Sequence, residues 1–125
     1  MIQVIDDRIY FVKGDKDSLP VDVTFGGDKP YEMGENEYLE LTVRATPDTS
    51  QPVLIYARSN PGSNKIIFTK EMTADVDPGK YSADIQFNDG TGEPRTVWPS
   101  NTAPYVKPDK TVNWKNFLLT PEVTV

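Results

Sequence analysis

Three segments of the chain alternate apolar and polar residues with a period of two. Apolar side chains occupy every second position in residues 19–25, 39–45 and 81–87. Because successive side chains of a strand point to opposite faces, this period places one face of each segment in a core and the other face in water. Half-buried strands of this kind are typical of antiparallel sheets with one solvated face.

Turn-forming residues divide the chain into short elements, since it contains 11 prolines and 8 glycines. Weaker alternation marks residues 9–13, 53–57, 65–70 and 116–125. No segment keeps a helical period, and Pro78 would end any helix within residues 72–77. Many short strands separated by turns are typical of a sandwich or a small barrel. Of the two we predict an all-β, antiparallel sandwich of about seven to nine strands.

The core of this sandwich is expected to include Leu19, Val21, Val23 and Phe25. A chain of 125 residues is enough for one compact domain, so residues 1–125 are predicted to form a single β-sandwich. Residues 90–113 carry four prolines and little alternation, and they are predicted to be an irregular insertion that contacts a partner. Arg95 to Trp98, ended by Pro99, could instead form a short edge strand.

The composition excludes several kinds of chemistry. The chain has no cysteine and no histidine, and 13 basic against 19 acidic residues give a net charge of −6. Thiol and imidazole catalysis are therefore excluded, and the negative charge disfavours nucleic acid as a partner. Aspartates in loops could bind calcium, but aspartate also favours turns, and no EF-hand spacing is present. We expect no enzymatic activity, no cofactor and no bound metal.

The first ten residues include Asp6, Asp7 and Arg8 and lack the apolar segment of a signal peptide. The longest apolar runs are also far too short to cross a membrane. We expect the chain to be made in the cytoplasm, without export by a standard signal and without membrane insertion.

Residues 77–83 match the string that opens strand F of immunoglobulin domains. Asp77, Gly79 and Tyr81 stand at the positions of D-x-G-x-Y, and Ala83 stands where the cysteine would be. In that string the tyrosine hydroxyl bonds to a backbone group just upstream, which is called a tyrosine corner. The predicted role of these three residues is structural. An ordinary turn followed by a strand is the alternative.

Several large aromatic residues lie in or beside loops. Trp98, Tyr105 and Trp114 are not part of an alternating segment. They could cap the ends of the core, or they could be anchors of an interface, where aromatic residues are enriched. We consider these three residues the candidate interface, and on an open face they could also stack against sugars.

Five segments, taken in order, resemble the small tail and baseplate-associated proteins of phages and prophages that infect Firmicutes. Residues 9–15 (IYFVKGD) resemble the family's opening I-x-x-x-R/K-G-D, and residues 78–87 (PGKYSADIQF) resemble its string P-G-x-Y-x-Y-D-I-Q-L. Residues 19–24, 38–44 and 117–125 resemble its other strands. The chain departs from the family between residues 88 and 115, where it is longer.

The resemblance implies an immunoglobulin-like β-sandwich, similar to the N-terminal module of baseplate upper proteins. It also implies a structural part of the virion tail that docks against other tail or baseplate proteins and against copies of itself. No catalytic residue is implied. A carbohydrate-binding or adhesion module is the alternative function.

Overall fold

The structure is a computed structural model that describes residues 2–5, 8–23, 31–46, 48, 50–92, 94–98 and 115–121. The described chain is all-β, and its one helical element is a 3₁₀ turn at Lys70–Thr73. The strands are β1 (Ile2–Ile5), β2 (Arg8–Val12), β3 (Asp17–Pro20), β4 (Tyr38–Arg44), β5 (Ile55–Ser59), β6 (Lys65–Phe68), β7 (Gly79–Asn88), β8 (Arg95–Trp98) and β9 (Phe117–Thr120).

The strands form one continuous sheet in the order β1-β2-β9-β7-β4-β5-β6-β3, and β8 pairs with β7 outside this path. Strand β5 pairs with both β4 and β6, so it joins what would be two separate layers in a sandwich. The sheet curls until its first and last strands meet, where the backbone N–H of Ile2 donates to Asp17 Oδ2 at 2.8 Å. The architecture is therefore close to a barrel with one seam, between β1 and β3.

The prediction of a wholly antiparallel arrangement is wrong at one pair of strands. Strands β2 and β9 run parallel, with Ile9 opposite Phe117 and Val12 opposite Thr120. The other described pairs are antiparallel. No hairpin joins β2 to β9, since nearly the whole chain lies between them, so connection length does not impose a direction on this pair.

The core contains the side chains that the period of two predicts. Leu39, Leu41 and Val43 of β4 are buried, and so are Ala83, Ile85 and Phe87 of β7. Of the residues predicted to face the core, Leu19 and Val23 are buried and Val21 is partly buried, whereas Phe25 lies outside the described residues. Strand β3 ends at Pro20, so this segment is a shorter strand than its alternation predicts.

Three phenylalanines from different strands fill the middle of the barrel. The ring centroids of Phe11 and Phe68 are 4.8 Å apart, and those of Phe68 and Phe117 are 6.5 Å apart. Each of these side chains is completely buried. Because they come from β2, β6 and β9, their contacts join the part of the sheet that holds the parallel pair to the part beside β3.

One side of β7 is shared by three partners along its length. Strand β9 lies opposite Gly79–Tyr81, and β8 lies opposite Ile85–Phe87. Between them, at Ala83, the side chain of Asn116 takes the place of a strand. Its Nδ2 donates to the Ala83 carbonyl at 2.8 Å, and its Oδ1 accepts from the Ala83 N–H at 2.7 Å.

The backbone of Asn116 continues the connection to a third strand. Its carbonyl accepts a hydrogen bond from the N–H of Ile9, at 2.7 Å, just before β9 begins. The residue is buried, with 2% of its surface exposed, so water cannot replace these bonds. A single amide side chain and its own carbonyl thus hold β2, β7 and β9 in register.

We expect Asn116→Ala to lower the free energy of unfolding by about 3 kcal/mol, because it leaves a buried N–H and a buried carbonyl of Ala83 unpaired. Urea denaturation followed by circular dichroism measures the loss. Asn60→Ala, at an exposed position after β5, is the control and should change stability by less than about 0.5 kcal/mol. Equal midpoints for the two variants would contradict the bridging role of Asn116.

Candidate functional site

The solvent face of β4 and β5 brings together a group of polar and aromatic side chains. Because β4 buries Leu39 and Leu41, the side chains between and beside them point outward. Strand β5 has the same pattern, and the register places Arg58 opposite Glu40 and Tyr56 opposite Thr42. We call this surface the outer-face cluster. It consists of Tyr38 and Glu40 of β4, Tyr56 and Arg58 of β5, and the buried Asn88 of the neighbouring strand β7.

The Glu40 carboxylate is at the centre of the outer-face cluster. Its Oε2 accepts a hydrogen bond from the hydroxyl of Tyr56 at 2.5 Å, and its Oε1 accepts one from Asn88 Nδ2 at 3.2 Å. The two donors come from β5 and β7, which flank β4 on either side. The carboxylate is therefore held from both sides, while each of its oxygens retains a lone pair for another donor.

The two tyrosines of the outer-face cluster have different environments. The guanidinium carbon of Arg58 lies 3.8 Å from the centre of the Tyr38 ring, which is a cation–π contact. Tyr56 is 43% exposed, so much of its side chain is accessible to a ligand. Burial of part of the side chain raises the pKa of Tyr56 to about 12, and the hydrogen bond to Glu40 and its negative charge contribute further. Tyr56 consequently keeps its proton, and stays a hydrogen-bond donor, to a higher pH than an ordinary tyrosine does.

A second accessible feature is the edge of β1. Val4 and Ile5 are 51% and 50% exposed, although both are aliphatic. The N–H of Ile9 donates to Asn116, away from β1, so Val4 and Ile9 form a non-hydrogen-bonded pair. The backbone N–H and carbonyl of Val4 therefore point away from β2, toward the seam. Among the described residues, none outside β1 and β2 forms a hydrogen bond with either group.

The opposite edge of the seam, along β3, is protected. Val21 bonds to Asn64 next to β6, so Ser18 and Pro20 are the β3 residues whose backbone faces away from β6. The N–H of Ser18 donates to Asp17 Oδ1 at 2.8 Å, and Pro20 has no N–H. Proline and a locally satisfied N–H both hinder the addition of another strand. The two edges of the seam therefore differ in their capacity to pair.

The predicted corner residues lie at the start of β7. The hydroxyl of Tyr81 donates to the backbone carbonyl of Asp77, across the turn. Gly79 lies beside the ring, where an added Cβ would be 3.7 Å from the tyrosine. Burial raises the pKa of Tyr81, and the charge of Asp77 raises it further. These contacts fix the conformation of the turn that precedes β7.

The structure describes one of the three aromatic residues of the candidate interface. Trp98 ends β8, the short edge strand considered for this stretch, and lies opposite Ile85 of β7. Its side chain is half-buried and packs against the core, which is how a core-capping residue behaves. Tyr105 and Trp114 lie outside the described residues, as does most of the segment 90–113. The candidate interface of Trp98, Tyr105 and Trp114 therefore stays a prediction.

Two of the aspartates that could bind calcium already accept hydrogen bonds from backbone N–H groups. Both oxygens of Asp17 accept backbone N–H groups, and Asp89 accepts bonds from Thr91, which lower the pKa of Asp89. Across the described ranges, no three acidic side chains are grouped so that they could hold a metal ion. In the same part of the chain, no helix is long and apolar enough to cross a membrane.

Both surfaces were missed by reasoning from the sequence, for different reasons. Tyr38 and Tyr56 are large aromatic residues at the outward-facing positions of β4 and β5, which is a sequence signal for a binding surface. Only the register shows that Glu40 lies between them. Strand β1 has no alternation of burial because Val4 and Ile5 are both exposed. Its only signal is a short β-branched run before two aspartates.

Comparison of the chain with protein families, with curated proteins and with solved structures gives no match.

We predict that Glu40→Gln lowers the pKa of Tyr56 from about 12 toward 10.0, though not fully, because burial remains. The absorbance of tyrosinate is measured as a function of pH, with and without Glu40→Gln. In each case the titration of a variant that also carries Tyr56→Phe is subtracted, which isolates the contribution of Tyr56. In the parent protein, the stability that neutral Tyr56 contributes is fully present below pH 10.0 and is lost as pH rises through about 12. An unchanged Tyr56 titration in Glu40→Gln would contradict the contact.

Proposed function

We propose that this chain is a structural docking domain of a phage or prophage tail or baseplate, made in the bacterial cytoplasm and incorporated into the virion. It acts by binding neighbouring proteins and copies of itself, without catalysis. The observation that carries the proposal is the open edge of β1, where Val4 and Ile5 are half exposed in a strand with no charged side chain. The resemblance of residues 9–15 and 78–87 to tail proteins supports it.

An edge strand with unprotected backbone groups is a template for pairing with another chain. Soluble proteins usually block such edges, and β3 of this chain is blocked by Pro20 and by the bond between Ser18 and Asp17. The contrast between the two edges supports a role for β1 in contact with another protein. A protein that assembles with others needs a surface of this kind, whereas in a monomeric protein the same surface promotes aggregation.

We further propose that the fold is a variant of the immunoglobulin-like sandwich. The order β9-β7-β4-β5 corresponds to strands G, F, C and C′ of variable-type domains, and the pair β3–β6 corresponds to B and E. Tyr81 bonds to the Asp77 carbonyl at the start of the strand that corresponds to F. The pairing of β5 with β6 is the departure, and it turns the sandwich toward a barrel.

The proposal predicts that the chain is present in purified particles of the phage whose genome encodes it. We expect epitope-tagged parent protein to cosediment with tails, and the Val4→Lys variant to be incorporated several-fold less at equal soluble concentration. Val53→Lys, at a valine 48% exposed and distant from β1 in sequence, is the matched control and should be incorporated like the parent. Absence of the parent protein from the particles would overturn the proposal.

A carbohydrate-binding module is the second candidate function, and the outer-face cluster favours it. Tyr56 offers a partly exposed aromatic surface, and the Glu40 carboxylate next to it is fixed by two donors. Aromatic rings stack against the apolar faces of sugars, and fixed planar polar groups bind their hydroxyls. Arg58, which lies opposite Glu40, adds further donors at the same place.

This second function predicts saccharide binding that depends on Tyr56. Glycan-array screening of the parent protein identifies a ligand, and calorimetric titration should then show a loss of at least about tenfold in affinity for Tyr56→Ala. Tyr31→Ala, at another tyrosine with 41% exposure, is the control and should bind like the parent. No binding across the array, or equal binding by both variants, would count against a sugar site on this face.

A further inference from the structure

We infer that the β1 edge pairs with β1 of a second copy of this chain, antiparallel and across a two-fold axis at Val4. The inference rests on the proposed docking function and names the partner of that edge. Its basis is that both the N–H and the carbonyl of Val4 point away from β2, at the free edge of the sheet. A residue in that position can exchange two hydrogen bonds with the same residue of an antiparallel neighbour.

The hydrogen bonds already present limit how far this pairing extends. The N–H of Ile2 points in the same direction as that of Val4 but is bound to Asp17 Oδ2 at 2.8 Å. The ladder between two copies is therefore short and centred on the two Val4 residues. The other side of the seam offers no comparable site, because Pro20 lacks an N–H and that of Ser18 is satisfied.

The exposed side chains of β1 become covered in this arrangement. With Val4 opposite Val4 of the second copy, Ile5 lies opposite Gln3 and Gln3 lies opposite Ile5. Val4 and Ile5, which are about half exposed in the single chain, then each face an uncharged side chain. Cross-strand pairs of β-branched residues stabilise antiparallel sheets, and their burial adds a hydrophobic contribution.

The charge of the chain favours this strand as the contact between copies. Two copies each carry a net charge of −6 and repel one another at most orientations. The four residues of β1 carry no charge, so the ladder itself places no like charges directly opposite each other. One acidic group, Asp17, lies at the Ile2 end of each strand, where its carboxylate accepts the Ile2 N–H. Closed two-fold dimers are also the commonest way in which identical chains associate.

The contact is small, since each copy contributes a strand of four residues. Such an area is below that of a stable complex, so we expect a dissociation constant of roughly 0.1 mM for the isolated chain. Salt should strengthen the dimer, because it screens the repulsion between two acidic copies while leaving the uncharged contact unaffected. An assembly that holds many copies would raise the effective concentration and make the weak contact significant.

Sedimentation analysis of the purified chain between about 10 μM and about 1 mM tests the inference. We expect the average mass of the parent to rise with concentration from 14.0 kDa toward twice that value, and to rise earlier at about 500 mM salt than at about 50 mM. Val4→Lys should remain monomeric. Val53→Lys, the matched exposed valine, should associate like the parent, and thermal melting must show that both variants are folded.

Amide exchange distinguishes strand pairing from other self-association. The N–H of Val4 should exchange several-fold more slowly at about 1 mM than at about 10 μM, while that of Gln3, which faces β2, should not change. A parent that stays monomeric to about 1 mM, or a folded Val4→Lys that dimerises like the parent, would overturn the inference.

The results separate this inference from the proposed function. A monomeric parent that is still incorporated into particles refutes self-pairing and leaves the docking role standing. If the folded Val4→Lys variant then fails to be incorporated, the occupant of the β1 edge is a strand of a different protein. A parent that dimerises but is absent from particles refutes the tail function and leaves the contact between copies standing.

Discussion

The pair of hydrogen bonds between the Asn116 amide and the backbone of Ala83 is the contact on which the sheet depends. Along one edge, β7 pairs with β9 over its first residues and with β8 over its last residues. Strands β8 and β9 are not continuous with each other, so an interval on this edge of β7 has no strand beside it. The amide fills the interval with one donor and one acceptor, as a strand would. Because the same residue accepts from Ile9, the parallel pair β2–β9 is aligned by this contact as well.

At the seam, a carboxylate side chain joins two strands in place of a backbone ladder. Asp17 accepts the N–H of Ile2 from β1 and the N–H of Ser18 from its own strand, so it joins the two ends of the sheet without a ladder. Because a side chain closes the seam, the backbone of Val4 is unpaired within the described strands. A full ladder between β1 and β3 would have paired it. The seam is thus the origin of the open edge, and the surface proposed for docking is a consequence of how the barrel closes.

The period of two was sufficient to predict β4 and β7, because each buries its apolar side chains on one face and leaves most of the residues between them partly accessible. It could not predict the direction of pairing, since a strand has the same faces whichever way its neighbour runs, and the parallel pairing of Ile9 with Phe117 was therefore missed. Nor could it predict register: the long connection between β4 and β5 is not a tight turn that fixes Glu40 opposite Arg58. Strand β1 was missed because neither of its faces is well buried.

The two proposed surfaces lie on opposite sides of the barrel. In the closed order of eight strands, β1 is four steps from β4 in either direction. Pairing through β1 would therefore leave the Tyr56 and Glu40 side chains solvated, and a two-fold dimer would present two outer-face clusters directed away from each other. The proposed docking edge and the proposed saccharide site therefore use different residues. A dimer with two such clusters would bind a repeating polymer more tightly than one copy does, provided that the polymer can span both.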